Sequence, residues 1–234
     1  RSNACRWLDL SGGLQEIVMS GELAHRLLRL ILQQYPLLSG MGTLVQHAPL
    51  KWVRFSEQKL LVRLRNGYEI LVFPNDFIGK CVYLFGDLDP KITKILGILL
   101  SPGDTFVDIG ANVGIMVLQC LPFIGLSGRV VAVEPQRVCC EALSETLKAN
   151  RIHNVEIHEV ALSDRSGHFD LCIPDESNLG TASLSRKSRS TSQPISVKVM
   201  AAHEFLEARR IRCEYVVKID VEGHELSVLR GMDF

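Results

Sequence analysis

Residues 104–114 read Asp104-Thr105-Phe106-Val107-Asp108-Ile109-Gly110-Ala111-Asn112-Val113-Gly114, and they decide the fold of the chain. The apolar run predicts a buried strand, and the glycine-containing segment after it predicts a tight loop that opens a helix. We expect Gly110 to take a positive φ, and Gly114 to let the backbone come close to a ligand or to the facing strand. In an open α/β sheet, such a loop holds a nucleotide-like cofactor.

The chemistry of this loop favours a cationic cofactor over a dinucleotide. Dinucleotide-binding loops have a glycine where Asn112 stands, because a pyrophosphate approaches the backbone there. Asp108 adds a negative charge at the carboxyl end of the strand, beside the place of that dianion. S-adenosylmethionine has a cationic amino-acid end and no phosphate, so it suits this loop better. A nicotinamide-dependent oxidoreductase stays open as an alternative, provided that Asn112 is tolerated.

The composition is that of an ordinary globular protein. The 234 residues are 47% hydrophobic, and 26 basic and 26 acidic side chains give a formal net charge of zero. This balance gives no sign of a nucleic-acid-binding surface, and no apolar run is long enough to span a bilayer. We therefore expect a cytoplasmic protein that binds neither nucleic acid nor membrane. Because the chain starts at Arg1 instead of Met, we also expect a fragment at the amino end.

The cysteines show no metal-binding or disulfide pattern. Their number is odd, none has Cys-x-x-Cys spacing, and most lie in apolar segments. We expect reduced structural thiols. The seven positions are Cys5, Cys81, Cys120, Cys139, Cys140, Cys172 and Cys213.

Three elements are expected before the glycine loop. Apolar residues at helical spacing that end before a proline predict an amphipathic helix. Two β-rich runs around Asn66-Gly67 predict a hairpin whose two turn residues both take positive φ. A helical pattern that follows Pro90 predicts a helix that covers the sheet. The elements are the helix of residues 22–35, the strands Leu60–Arg65 and Tyr68–Phe73, and the helix from Pro90 to Leu99.

From residue 105 onward, β-rich runs alternate with helical patterns, which predicts right-handed crossovers and a parallel sheet. A segment at residues 165–200 interrupts this rhythm, and we expect it to be an antiparallel insertion with a polar tip, either a solvated loop or a flap over the substrate. The expected strands are Thr105–Ile109, Arg129–Val133, Val155–Val160, Phe169–Ile173, Ile195–Met200 and Tyr215–Ile219, and the expected helices are Val113–Ile124, Gln136–Asn150 and Glu204–Arg210.

Acidic residues follow the second and third parallel strands. Glu134 ends the second strand about twenty residues beyond the glycine loop, where a carboxylate accepts hydrogen bonds from both hydroxyls of a ribose. Glu159 and Ala161 follow the third strand, which places them near an adenine edge. Asp164 shares this location, but it is equally well explained as a turn residue before Gly167.

A second polar cluster, Lys218-Ile219-Asp220-Val221-Glu222-Gly223-His224-Glu225, follows the last strand. Such groups are costly at the end of a buried strand unless they are solvated, paired or used. An acidic helix start explains Glu222 and Glu225, but it explains Asp220 poorly. Asp220, Glu222 and Glu225 offer hard oxygen ligands for a divalent cation. Their spacing fixes no coordination geometry, so we predict no metal.

Together these motifs resemble those of the FkbM-type S-adenosylmethionine-dependent methyltransferases, over roughly residues 60–234. The resemblance implies an α/β fold with a Rossmann-like class I methyltransferase sheet, in which parallel strands flanked by helices have the spatial order 3-2-1-4. The sheet would be truncated at the C-terminus and extended at the N-terminus by a helix and a β-hairpin. The matching pieces are Asp76, Tyr83–Pro90, Val107–Gly114, Val133–Pro135, Ala161–Asp164 and Lys218–Glu225.

The resemblance also implies roles for the predicted site residues. S-adenosyl-L-methionine would be the cofactor, and a hydroxyl of a sugar or other small metabolite would be methylated. The acceptor would face Asp220 and Glu222, with His224 as an alternative base or else as an exposed helix-start residue. The cofactor-binding residues would be Asp108, Gly110, Asn112 and Gly114 at the methionine end, Glu134 at the ribose, and Glu159 and Ala161 at the adenine.

Two departures from the family pattern keep a non-catalytic alternative open. A Leu-Asp pair of the family is replaced by Ala202-His203, and the family sheet continues beyond Gly231. The chain could therefore be a truncated methyltransferase-like domain that binds a partner through Leu23–Leu32 or through the open edge of its sheet. We divide it into a helical extension (residues 1–59), a hairpin and helix (60–103) and an incomplete cofactor-binding domain (104–234) that contains the insertion.

Overall fold

The computed structural model describes residues 22–34, 40–47, 50, 53, 55, 58–172, 182, 184, 194–211 and 214–232. Several features predicted from the sequence lie outside this part: Cys5, Cys213 and the polar tip of the insertion. Within it, no helix has the length and apolar character that crossing a bilayer requires.

The elements alternate as the sequence predicts from residue 105 onward. The helices are α1 Glu22–Leu32, α2 Met41–Gln46, α3 Phe77–Phe85, α4 Pro90–Leu99, α5 Ile115–Ile124, α6 Arg137–Ala149, α7 Ala202–Ala208 and α8 Glu225–Gly231. The strands are β1 Leu60–Arg63, β2 Glu69–Val72, β3 Thr105–Ile109, β4 Arg129–Val133, β5 Val155–His158, β6 Ala161–Ser163, β7 Gly167–Leu171, β8 Ile195–Ala201 and β9 Tyr215–Ile219.

A parallel sheet in the order β5-β4-β3-β9 forms the centre of the fold. This order confirms the predicted 3-2-1-4 arrangement and the Rossmann-like fold class. Ile109 pairs with Val133 on one side and with Ile219 on the other, so β3, β4 and β9 end at the same level. The loops that follow these three strands therefore lie at one edge of the sheet, where open α/β sheets bind ligands.

Side chains that alternate along the strands divide the core into two layers. Phe106 and Val130 pack with α5, α6, α4 and the hairpin on one face. Val107 and Val131 pack with α7 and α8 on the other face. Because these strands are covered on both faces, they read as continuous apolar runs, and each fully buried Val or Phe contributes roughly 1.5–3 kcal/mol.

The hairpin forms, but its turn differs from the prediction. β1 and β2 pair from Leu60–Val72 to Arg63–Glu69, and only Gly67 of the turn pair has a positive φ, of 93°. The prediction of two such residues is therefore wrong, because a longer hairpin loop needs only one left-handed residue. The Asn66 amide instead donates to the Leu118 carbonyl and to Gln119, both at 3.0 Å. These bonds attach the hairpin to α5.

Neither α2 nor α3 was predicted, and α3 is the longer of the two. Asp76 caps its start by accepting hydrogen bonds from the amides of Ile78 and Gly79 at 3.1 and 3.3 Å. Gly86 ends it with a φ of 68°. An acidic N-cap and a left-handed C-terminal glycine are sequence signals for a helix, but α3 is apolar on almost every side, so it shows no amphipathic period.

The insertion forms its own sheet, in the order β6-β8-β7. β7 and β8 are antiparallel, as predicted. β6 pairs in parallel with β8, which was not predicted. The strand expected to run to Val160 ends at His158, and the chain leaves the central sheet so that Ala161–Ser163 can join the second one. The other bounds shift slightly: α1 ends at Leu32, α5 begins at Ile115 and α7 begins at Ala202.

The described cysteines are free thiols. Cys81, Cys120, Cys139 and Cys140 are buried, and Cys172 is partly exposed. Burial raises the pKa of Cys81 and of Cys140 to about 12. These buried thiols therefore stay protonated at neutral pH and pack as small apolar groups.

Candidate active site

A cavity of about 110 Å³ opens at the carboxyl edge of the sheet. It lies between the loops that follow β3, β4 and β9, with β6 and part of the insertion on one side. Seven of the residues predicted from the sequence line it: Gly110, Asn112, Glu134, Ala161, Asp220, Glu222 and His224. Three others, Asp108, Gly114 and Glu159, are not part of its lining.

Glu134 links the loops that follow β3 and β4. Its carboxylate is buried, with 4% exposure, and it accepts hydrogen bonds from the backbone amides of Asn112 and Gln136, both at 2.9 Å. Burial raises the pKa of this carboxyl, and the two hydrogen bonds oppose that rise. A buried acid held by two N–H donors keeps a fixed orientation, and each carboxylate oxygen retains capacity for a further donor.

The glycine loop is held in place by contacts with the ends of the neighbouring strands. The amides of Gly110 and Ala111 donate to the Val133 carbonyl at 2.9 and 3.0 Å. Gly110 has a φ of 82°, and a Cβ there would lie 2.0 Å from the Asp220 carbonyl oxygen. Glycine is therefore required at this position by the close approach of the chain after β9. Asn112 is also left-handed, with a φ of 50°, which is a conformation that asparagine tolerates better than most residues.

Gly114 makes the close approach that the sequence predicts, but to a different neighbour. It precedes α5 with a φ of 91°, and a Cβ there would lie 2.3 Å from Cδ1 of Leu143. Leu143 belongs to α6, so the neighbour is a helix rather than a ligand or a facing strand. Among the described residues, the role of Gly114 is thus the packing of α5 against α6.

Asp108 precedes the glycine loop and does not line the cavity. Its side chain is fully buried, its Oδ1 accepts from Nζ of Lys218 at 3.1 Å, and its Oδ2 has no hydrogen-bond partner in the described part of the chain. Burial raises the pKa of this carboxyl, and Lys218 opposes the rise. A buried oxygen without a partner is energetically costly.

Lys218 connects the two halves of the site. Besides Asp108, its ammonium donates to the Gly110 carbonyl at 3.2 Å and lies 3.4 Å from Oδ2 of Asp220. Burial lowers the pKa of Lys218, but the two carboxylates outweigh burial and raise it. One charged side chain thus ties the loop after β3 to the loop after β9.

The acidic residues that follow β9 differ from one another in exposure, backbone conformation and hydrogen bonding. The Asp220 side chain is 63% exposed, whereas Glu222 stands in a left-handed conformation with a φ of 51°. Glu225 turns back on the loop and accepts from the amides of Val221 and Gly223 at 3.2 and 3.0 Å. Among the described residues, no group of three or more His, Cys, Asp or Glu side chains is arranged to hold a metal ion.

His224 is buried, with 9% exposure, so the expectation of an exposed helix-start residue is wrong. Its Nε2 lies 3.0 Å from Oγ of Ser163. Burial lowers the pKa of His224, while Asp164 and Glu225 oppose that shift. Ser163 was not predicted as a site residue, because nothing in the sequence indicates that β6 packs against α8.

A second cavity, of about 560 Å³, adjoins the first and shares Pro135, Gln136 and Leu171 with it. Glu159 lines this second cavity, together with Arg137 and Lys198. The first cavity alone is smaller than the roughly 300–1,000 Å³ of a typical ligand pocket, so a nucleoside cofactor also requires the adjoining space.

The residues at this edge fit S-adenosylmethionine better than a dinucleotide. Arg137 and Lys198 line only the second cavity. The described lining of the first cavity, which includes Gly110 and Asn112 of the glycine loop, has no Lys or Arg side chain, although a pyrophosphate at that loop calls for positive charge or for a close glycine backbone. Buried carboxylates at Glu134 and Asp108 suit hydroxyl donors and positive charge. Apolar side chains at Val160 and Leu162 suit a purine face.

Comparison with known proteins decides the family. Residues 108–234 match the sequence model of the methyltransferase FkbM domain. The chain belongs to the FkbM methyltransferase family. The resemblance inferred from the motifs is therefore confirmed.

Two curated relatives and one solved structure are similar to the chain. The hexuronic acid methyltransferase AglP of Haloferax volcanii is 30% identical over 130 residues, which are 55% of this chain and 50% of AglP. Methyltransferase 1 of Beauveria bassiana is 26% identical over 160 residues, which are 61% of this chain and 64% of the relative. The chain thus spans about half to two thirds of the length of these two relatives. A crystal structure of methyltransferase FkbM from Methylobacillus flagellatus superposes with a TM-score of 0.34 at 17% identity, over 64% of this chain and 37% of that one.

Proposed function

We propose that the chain is an S-adenosylmethionine-dependent methyltransferase that transfers a methyl group to a hydroxyl of a sugar or a related small metabolite. The observation that carries the proposal is the buried Glu134 carboxylate, which the amides of Asn112 and Gln136 hold at the mouth of a glycine loop. Membership of the FkbM family supports methyl transfer over the nicotinamide alternative.

The cofactor would lie along the carboxyl edge of the sheet. Glu134 would accept hydrogen bonds from the ribose hydroxyls, and Gly110 and Asn112 would line the methionine end. The adenine would lie toward Ala161 and the adjoining cavity that Glu159 lines. Asp108 would act from behind the loop, by fixing Lys218 and by balancing positive charge nearby.

The acceptor would bind on the β9 side of the same cavity. Asp220, Glu222 and His224 line it there, so each is a candidate to orient the hydroxyl or to take its proton. AglP is named a hexuronic acid methyltransferase, which supports a sugar acceptor for this chain. The balanced net charge supports a small molecule over a nucleic acid.

Positioning is the main contribution that this site would make to catalysis. When bound, S-adenosylmethionine supplies a methyl group on a positively charged sulfur, and the acceptor oxygen bonds to the methyl carbon as the carbon–sulfur bond breaks. Holding the hydroxyl in line in a site without water contributes on the order of 7–11 kcal/mol. Removal of the hydroxyl proton by a base contributes about 10²- to 10⁴-fold in rate.

Two measurements test the proposed function. Calorimetry with S-adenosylmethionine is expected to show one binding event, and calorimetry with NADH is expected to show none. Transfer of a radiolabelled methyl group to glucuronic acid, used as a probe acceptor, tests the substrate class. Cofactor binding without transfer to glucuronic acid or to neutral sugars supports the non-catalytic alternative, and binding of NADH alone overturns the proposal.

A further inference from the structure

Ser163 lies at the end of β6 between two polar partners that come from different parts of the fold. Its Oγ lies 3.0 Å from Oδ1 of Asp164, the next residue in the chain, and 3.0 Å from Nε2 of His224 at the start of α8. The hydroxyl is fully buried. Asp164, Ser163 and His224 therefore form a continuous line of hydrogen bonds from the surface to the cavity.

The chemistry of these three groups favours one arrangement of the protons. An ionised carboxylate accepts hydrogen bonds only, and a hydroxyl has one proton to donate. When Ser163 donates that proton to Asp164, 3.0 Å away, its oxygen faces His224 with a lone pair. In this arrangement Nε2 of His224 carries a proton and donates it to Ser163.

Close packing of α8 against β6 holds this arrangement in place. A Cβ on Gly231 would lie 2.0 Å from the Ser163 carbonyl oxygen, so the far end of α8 is pressed onto the same residue that His224 contacts. His224 itself precedes the first turn of α8. The helix that follows His224 consequently has little freedom to move away from Ser163.

We propose that Ser163 and Asp164 are positioning residues that hold His224 as the neutral Nε2–H tautomer, which makes Nδ1 the nitrogen that takes a proton in the cavity. Burial, which lowers the pKa of His224, favours the neutral form at physiological pH. The inference deepens the proposed function, on which it rests for the source of the proton. The acceptor hydroxyl would give its proton to Nδ1 as its oxygen bonds to the methyl carbon, and the proton would then leave to solvent.

This arrangement distinguishes His224 from the two acids beside it. Oδ2 of Asp220 lies 3.4 Å from the Lys218 ammonium, which holds it as a charge partner. His224 gains a positive charge when it takes a proton, and the Ser163–Asp164 pair stabilises that charge through the same hydrogen bonds. The charged groups that face His224 are Asp164 after β6 and Glu225 on α8. Asp220, Glu222 and Glu134 share its cavity, and on α7 His203 contacts Gly231 at the other end of α8.

Nuclear magnetic resonance of the chain labelled with ¹⁵N-histidine tests the proposal without any acceptor. Long-range proton–nitrogen correlations show which ring nitrogen carries the proton, and His224→Gln identifies the signal. We expect the wild-type ring to be protonated at Nε2, and a pH titration to add the second proton at Nδ1. Ser163→Ala should convert the signal into a mixture of tautomers, and Asp164→Asn should lower the pH at which His224 titrates.

Ser166→Ala is the matched control. Ser166 also contacts a carboxylate, Glu204, at 2.6 Å, and its other hydrogen bond comes from the Ala201 amide instead of a histidine. This variant should leave the His224 tautomer unchanged. Ser163→Cys, which keeps a side chain at this position but replaces the hydroxyl with a weakly hydrogen-bonding thiol, serves in place of Ser163→Ala if the alanine variant does not fold.

A wild-type ring protonated at Nδ1, or an unchanged tautomer in Ser163→Ala and Ser163→Cys, overturns the proposal. Calorimetry with S-adenosylmethionine on the same samples separates it from the proposed function. If S-adenosylmethionine does not bind but His224 has the expected tautomer, the proposed methyltransferase function is refuted and the positioning role of Ser163 and Asp164 stands. If S-adenosylmethionine binds but His224 has the opposite tautomer, only the positioning role is refuted.

Discussion

Nζ of Lys218 lies 3.1 Å from Oδ1 of Asp108, and this pair joins two neighbouring strands, β9 and β3, directly before the glycine loop. The Asp108 carboxylate is fully buried, whereas the Lys218 side chain is 19% exposed. A buried pair of this kind contributes little relative to apolar packing, but the loss of one partner leaves an uncompensated charge. The shape of the glycine loop therefore depends on Lys218, a residue to which the resemblance assigns no role.

We expect Lys218→Met to lower the free energy of unfolding by about 3–5 kcal/mol, because it leaves the Asp108 carboxylate buried without its ammonium partner. Urea denaturation at neutral pH measures this change. Adding Asp108→Asn to the same chain should recover part of the loss, because the double variant no longer buries a charge.

Lys59→Met is the control for Lys218→Met. Lys59 pairs with Glu145 at 3.5 Å, and these side chains are 35% and 57% exposed. An exposed pair of this kind contributes about 0–1 kcal/mol. Equal losses in the two variants would show that the Asp108–Lys218 pair is not the buried link described above.

Gly110→Ala should destabilise the fold far more than Gly67→Ala, although both glycines have a positive φ. A Cβ at Gly67 meets open space, whereas a Cβ at Gly110 would lie 2.0 Å from the Asp220 carbonyl. Gly67→Ala therefore carries only the left-handed backbone cost, about 1–2 kcal/mol. Gly110→Ala adds the displacement of the chain after β9, and thermal unfolding of the two variants distinguishes the cases. Similar melting temperatures would contradict the close approach.

The sequence predicted the central sheet because its strands are short apolar runs with clear breaks. β3, β4 and β9 begin and end at the predicted residues, since glycines, prolines and acids bound each run. Once the alternation of strands and helices is recognised, the handedness of the crossovers fixes which loops share an edge. For that reason Gly110, Asn112 and Glu134 could be grouped before their distances were known.

Features that depend on contacts across the fold could not be predicted in this way. α3 has no amphipathic period because α2 and β2 cover it on several sides. β6 lies outside the central sheet and pairs with β8, which is distant in the sequence. The contact between Ser163 and His224 joins residues 61 positions apart, and no local pattern in the sequence indicates it.

The contribution of His224 and His158 to the stability of the chain should fall as the pH drops below about 6.5, the usual pKa of histidine. Burial lowers the pKa of both residues in the folded state. At these two groups the unfolded chain therefore binds more protons than the native chain between the two pKa values, and their contribution to stability rises with pH across that range. Urea denaturation from pH 5 to pH 7.5 should show a smaller slope for His224→Gln than for the wild type.

His168→Gln, at an exposed position on β7, controls for the loss of a histidine in that experiment. A steeper slope in His224→Gln than in the wild type would contradict the burial of neutral His224, because the buried acids Glu134 and Asp108, whose raised pKa values act in the opposite direction, are present in both chains. An unchanged slope in His224→Gln would assign the effect to His158 alone.

The central claim is that the edge formed by the glycine loop and Glu134 binds S-adenosylmethionine, and calorimetric titration of the wild type and of Glu134→Gln tests it most directly. Loss of a charged acceptor for the ribose hydroxyls removes about 1.5–3 kcal/mol, so we expect Glu134→Gln to bind roughly 10- to 150-fold more weakly. Glu145→Gln, at a surface acid that lies outside both cavities and pairs with Lys59 at 3.5 Å, should bind like the wild type. Absence of binding by the wild type, or equal affinity in Glu134→Gln, would contradict the claim.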